Sequence, residues 1–183
     1  MEQGKQTDYS FEMRDAIQFT MLCMLVFAIV FVPYYFIWGA QDLWQGVKIF
    51  VLKIYISFPV IIVGIILHEF IHFIFLSLLG KINRKDFSFS IEKESLSPYV
   101  YCAKPVKLIY YRISGVAPFI ILGVLPVIFS LVLGYSFWLL FGYIFMFSAG
   151  GDLYMLMKTR NLPNSVLVQD HKERPGCVMV EIE

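Results

Sequence analysis

Residues 54–80 read IYISFPVIIVGIILHEFIHFIFLSLLG, and this stretch decides what kind of molecule the chain forms. It lies between Lys53 and Lys81 and contains no Asp, Lys or Arg. An α-helix rises about 1.5 Å per residue, so about 20 residues cross the hydrocarbon core of a bilayer. The stretch is long and apolar enough to cross once. His68, Glu69 and His72 are its only acidic or imidazole side chains, and they lie in its second half.

The same charge-free spacing recurs on both sides. Residues 16–41, between Asp15 and Asp42, carry no charge, and neither do residues 113–151, between Arg112 and Asp152. The first run holds one span. The second, continued to Met157, holds two, with a tight turn at Gly134-Tyr135-Ser136. The predicted spans are 17–38, 50–79, 109–133 and 136–157. They give one polytopic domain over 1–183 with a tail at 158–183. The expected fold class is an all-α membrane protein of about four transmembrane helices.

Composition excludes the other classes. Of 183 residues, 58% are hydrophobic and 16% charged, against roughly 45–50% and 25% in soluble domains. Mean hydropathy is +0.70. A soluble globule of this size cannot hide so much apolar surface, and a disordered chain would not contain it. The net charge of +1 excludes a strongly basic nucleic-acid binder, because phosphate binding needs an excess of Lys and Arg. The lipid bilayer is the expected partner. The flank at 1–15 carries four acids and precedes a long apolar run, so it reads as the start of a span and not as a signal peptide.

Four spans put both termini and the 80–108 loop on one side. That side holds Lys5, Arg14, Lys81, Arg84, Lys85, Lys93, Lys104, Lys107, Arg112, Lys158, Arg160, Lys172 and Arg174, whereas Lys48 and Lys53 lie at the other. The positive-inside rule makes the richer side cytoplasmic. Tyr34, Tyr35, Trp38 and Trp44 bracket the first loop as interface anchors, and Trp138 sits by the last turn. In 87–103 apolar residues alternate on both sides of a turn-rich centre, Lys93 to Pro98, which predicts an interfacial β-hairpin. The tail predicts a second, short hairpin around Glu173-Arg174-Pro175-Gly176. Cys23, Cys102 and Cys177 form no CxxC pair, so neither a thiolate zinc site nor a disulfide framework is expected.

His68-Glu69-Phe70-Ile71-His72 matches HExxH. On a helix, residues i and i+4 share a face, so both imidazoles can point at one metal ion, with Glu69 placed to take a proton from a water the metal activates. Zinc suits such a site because three protein ligands leave a fourth position open. An ionisable side chain inside a span costs about 2.5–3.5 kcal/mol even on the mild insertion scale. Four such groups lie in the predicted spans: the three of the motif and Asp152. Asp152 supplies the missing third ligand type. His171 is the remaining histidine, but it lies in the polar tail 13 residues beyond Lys158. Asp152 is at membrane depth, and no Lys or Arg in the facing stretches can pair with it, so a divalent cation is its available partner.

HExxH in a span, an Asp in a later span and a Gly/Pro-containing segment between them, here Ser114-Gly115-Val116-Ala117-Pro118, resemble the site-2 protease class of intramembrane zinc metalloproteases. In that class the Asp is followed by Gly; here Gly150-Gly151 precede it. From about residue 60 onward the chain is also similar to a family of small bacterial membrane proteins described as zincin peptidases of unknown function. They share HExxH after an apolar helix, a Gly-Gly-Asp segment, and a tail like Leu167-Val168-Gln169-Asp170-His171 followed by Pro-Gly. The resemblance implies a Zn2+ peptidase with His68, His72 and Asp152 as metal ligands and Glu69 as catalytic acid/base. It also implies a protein or peptide substrate that pairs with the edge of the 87–103 hairpin. The alternative is a metal-binding membrane protein without peptidase activity, a sensor or carrier. A carrier needs ligands along a path, whereas these cluster at one depth. A di-iron desaturase needs many histidines, and three are too few.

Overall fold

The computed structural model describes residues 7–91, 98–171 and 174–180. It is an all-α membrane protein with a small β layer at one end. Helix α1 (Met13–Phe27) runs through a 3-10 turn into α2 (Phe31–Leu52). Together they span 40 residues, about 60 Å if straight and twice the core of a bilayer. Gly39 breaks the run with φ 83° and ψ 166°, a backbone shape that a side-chain-bearing residue adopts only under strain. Residues 40–52, read from sequence as loop and span entry, are therefore helical after this break. Tyr34, fully buried, donates to the Asp42 carboxylate across it.

Helix α3 (Ile54–Gly80) carries the HExxH motif. Helix α4 (Leu108–Pro118) continues through a π segment, Phe119–Val124, into α5 (Leu125–Leu133). Helix α6 (Ser136–Ser148) meets α7 (Gly150–Thr159) at a 43° bend. Three of these runs are long and apolar enough to cross a membrane, and the bent α6–α7 pair makes a fourth if it is one span. Their outer surface suits lipid: Phe36 is 80% exposed and Leu25 76%. A soluble protein would not leave such a belt in water.

The strands gather at one end. β2 (Phe87–Ile91) and β3 (Pro98–Cys102) pair antiparallel with Phe89 opposite Val100. This is the expected hairpin; its turn, 92–97, lies outside the described residues. The tail strands β5 (Leu167–Asp170) and β6 (Cys177–Val180) also pair. They belong to a four-stranded sheet, because β1 (Thr7–Asp8) adds to β6 and β4 (Val106–Lys107) adds to β5. Two-residue strands have no periodicity to read, so the sequence shows only the hairpin at its centre. The β1–β6 pairing brings both ends of the chain together.

The core has three layers. Leu76, Val106, Leu108, Met155, Val168 and Cys177 lie under the sheet. Ile71, Ala117, Phe141 and Phe145 form the middle layer. Tyr34, Val127, Leu139 and Met146 fill the far end. Two glycines let helices approach closely. A Cβ on Gly64 would lie 2.3 Å from Cζ of Phe145, and one on Gly150 would lie 2.0 Å from Oγ1 of Thr20. The first contact presses α6 onto α3 one turn before His68, and the second presses α1 onto α7 just before Asp152.

Candidate metal centre

The motif sits at the junction of the middle layer and the sheet layer. His68 and His72 project from one face of α3, with ring centroids 4.9 Å apart and planes at 71°. Asp152 stands in the first turn of α7, just past the bend at Ala149. The bend turns that first turn toward α3 and α4. Nε2 of His68 lies 3.2 Å from one Asp152 carboxylate oxygen, and Nε2 of His72 lies 3.4 Å from the other. The side chain of His68 is 7% exposed and that of His72 15%.

These separations test the fit of a metal. Zinc bonds to His nitrogen and carboxylate oxygen are about 2.0–2.2 Å, so ligand atoms at tetrahedral angles stand roughly 3.3–3.5 Å apart. The observed 3.2 and 3.4 Å are close to that edge length, each measured to a different Asp152 oxygen. His68, Glu69 and His72 can also bring one ligand atom each within 4.8 Å of one another. The Glu69 carboxylate is already engaged, however, accepting the Val100 backbone N–H of β3 at 3.0 Å. Asp152 lacks such an N–H partner among the described residues and faces both rings instead.

The two rings are held differently. His72 Nδ1 lies 3.0 Å from the backbone carbonyl of Ser114 on α4. A carbonyl only accepts, so the bond fixes a proton on Nδ1 and turns Nε2 toward Asp152, the orientation of metal-binding histidines. The Ser114 hydroxyl donates to the His72 carbonyl at 3.1 Å, so the two residues are clasped twice. His68 Nδ1 is buried without a hydrogen-bond partner among the described residues. Packing and the Nε2 contact with Asp152 set that ring.

A second half-buried carboxylate adjoins the site. Asp170 accepts the Cys102 N–H at 2.7 Å and the Tyr111 hydroxyl at 2.6 Å. Burial pushes its carboxyl up to about 6, against the pull of these two bonds. Burial likewise pushes the Cys102 thiol up to about 11 and the Cys177 thiol up to about 12, so neither is a thiolate at neutral pH. His171 sits at the β5–β6 turn. Its N–H donates to the Gly176 carbonyl, its Nδ1 accepts the Arg174 N–H at 3.0 Å, and its Nε2 lies 4.0 Å from Asp8.

Residues 61–167 match the model of a family described as "Putative zincin peptidase". The chain belongs to that family. The matched region contains His68, Glu69, His72, Val100, Ser114 and Asp152, while Asp170 and His171 lie just beyond it. Membership in this zincin family points to a metallopeptidase and implies zinc. No curated protein and no solved structure matches the chain.

Three neighbours of the motif escape a reading of side chains. Val100 and Ser114 contribute backbone groups, which no residue type announces. Asp170 lies in a polar tail, where a carboxylate is unremarkable. A trace of the Ser114 contact is nevertheless present in the sequence: Pro118 stands four residues later on the same helix.

Proposed function

We propose that the protein is a zinc-dependent, membrane-embedded endopeptidase that cuts membrane or membrane-proximal proteins. The observation that carries this reading is the meeting of two imidazole Nε2 atoms and one carboxylate at zinc-ligand separations, beside a glutamate. In this reading His68, His72 and Asp152 hold the metal. Zinc, when bound, supplies Lewis-acid polarisation and acidifies water near neutral pH.

The chain's own residues do the rest. Asp152 and the two imidazoles sit among apolar helices, where fixed charges act more strongly than in water. Ser114 holds His72 in the tautomer that presents Nε2. Glu69 is one residue from His68, about 100° around the helix from it, which suits a proton carrier better than a third ligand. It takes a proton from the attacking water and passes it to the leaving amine. Its hydrogen bond to Val100 couples that carboxylate to the hairpin.

The hairpin is the proposed substrate platform. Extended peptides bind sheet edges through main-chain hydrogen bonds. The outer edge of β3 lies against the site, but its Val100 and Cys102 N–H groups are taken by Glu69 and Asp170. A strand arriving there exchanges with these carboxylates, and its capture of the Val100 N–H frees Glu69 to act. In this reading the sheet end, both termini and the site's mouth face the cytoplasm, which the positive-inside pattern supports. The β1–β6 pairing supports the two termini sharing a side.

The deciding experiment compares membrane peptides by mass spectrometry in cells with the wild-type protein and with Glu69→Gln. The expected outcome is a substrate that accumulates intact in the variant while metal content stays at the wild-type level. Identical peptide profiles, together with hydrolysis by the purified variant at the wild-type rate, would sink the mechanism. A metal carrier without peptidase activity predicts identical peptide profiles in the two strains.

A further inference from the structure

The Ser114 carbonyl that holds His72 has an unusual opportunity to do so. In an α-helix each C=O accepts the N–H of the residue four positions later. For Ser114 that residue is Pro118, inside the same helix and without an N–H. The next donor, the Phe119 N–H, is spent on the Val116 carbonyl. Ser114 is 2% exposed, so bulk solvent does not reach the missing helix bond. A buried carbonyl without its partner is costly. The His72 Nδ1–H at 3.0 Å relieves that cost.

We propose that Pro118 is a positioning residue for the metal centre: by removing the donor that would compete for the Ser114 carbonyl, it reserves that oxygen for His72 Nδ1. The inference rests on the reading of His72 as a zinc ligand. Pro118 is fully buried at the junction of α4 and the π segment. The Ser114 hydroxyl bond to the His72 backbone keeps the carbonyl in place. The plain alternative is that Pro118 merely breaks the ladder and starts the π segment. In that case its ring would matter and its missing N–H would not.

Two replacements of the full-length protein separate the readings. Pro118→Ala restores the N–H and removes the ring. Lactic acid incorporated at position 118 also removes the ring but puts an ester oxygen where the N–H would be. Zinc affinity is read by competition with a chelator, and the His72 tautomer by nitrogen-15 shifts in the metal-free protein. Loss of a partner that orients a metal-bound histidine weakens metal binding by about 10–100-fold. Pro118→Ala should therefore bind zinc at least about tenfold more weakly and show a mixed His72 tautomer. The lactic acid variant should stay within about twofold of wild type, with the Nδ1–H tautomer kept. Wild-type affinity in Pro118→Ala, or equal weakening in both variants, would overturn the proposal. If the wild-type protein binds no zinc, the functional reading fails by itself, and the tautomers of the metal-free proteins still decide the role of Pro118.

Discussion

Asp152 and Asp170 are both carboxylates drawn into the interior beside the same helix, and they are satisfied in opposite ways. Asp170 meets a backbone N–H and a phenol, two donors that suit a carboxylate without any ion. Asp152 meets two imidazole nitrogens. In the metal-centre reading the His72 ring, committed to Ser114 through Nδ1–H, turns its Nε2 lone pair to the ion that Asp152 also binds. That reading places a cation between the carboxylate and the two rings. In the proposed reading Asp152 belongs to a metal centre, whereas Asp170 clamps the hairpin.

The largest expected effect breaks that contrast if it is wrong. Asp152→Ala should abolish zinc retention, whereas Asp170→Asn and His171→Ala should keep most of it. Metal analysis of the purified variants checks this. Zinc loss from Asp170→Asn or His171→Ala, with retention in Asp152→Ala, would mean that the tail supplies the ligand.

Glu69→Gln should come next. It removes the basic oxygen while roughly keeping size, and general acid–base groups contribute about 10²–10⁴-fold. Peptide hydrolysis should fall by about that factor with zinc content unchanged. A proportionate fall in both would show that Glu69 is a ligand and that the 4.8 Å trio with His68 and His72 is the true coordination set.

How far the sequence reveals the molecule follows from the same contrast. A carboxylate stands out where its surroundings are charge-free, so Asp152, His68, Glu69 and His72 are legible against their spans. Helix α3 begins and ends at the charges that frame it, Lys53 and Lys81, while the α4–α5 run begins after Lys107 and ends at the Gly134 turn. Asp170 is hidden among polar neighbours, and its burial arises only when β5 pairs with β4 and β6. The helix at 40–52 is hidden too, since Asp42 and Lys48 interrupt the apolar pattern and the break at Gly39 is a matter of φ. The bend at Ala149 is suggested by Gly150-Gly151 but not specified by them. Backbone partners such as the Val100 N–H are beyond any reading by residue type.

A smaller effect sharpens the role of the clamp. Asp170→Asn keeps an accepting oxygen but turns an amide N–H toward one of two donors. A buried donor or acceptor left unsatisfied costs about 1–3 kcal/mol. The midpoint of thermal unfolding in detergent should drop accordingly, and the Cys102 amide should exchange with solvent faster. An unchanged Cys102 amide would show that the hairpin is held by α3 alone.

The smallest effect is in pH. Asp170 has a folded-state value of about 6 against an ordinary 3.8, because burial outweighs the two bonds that favour its charge. The folded protein therefore holds this proton more tightly than the unfolded chain. The stability linked to it is fully present below about pH 4 and is lost as pH rises through 6. Asn at the same position does not titrate, so subtracting its unfolding midpoints from those of wild type isolates the carboxyl from every other group. The wild-type advantage should shrink between pH 4 and 6 and level off above. An advantage that grows over that window would mean that the Tyr111 and Cys102 bonds outweigh burial. Asp170 would then be an ionised anchor at low pH as well, and its contrast with Asp152 would rest on its partners alone.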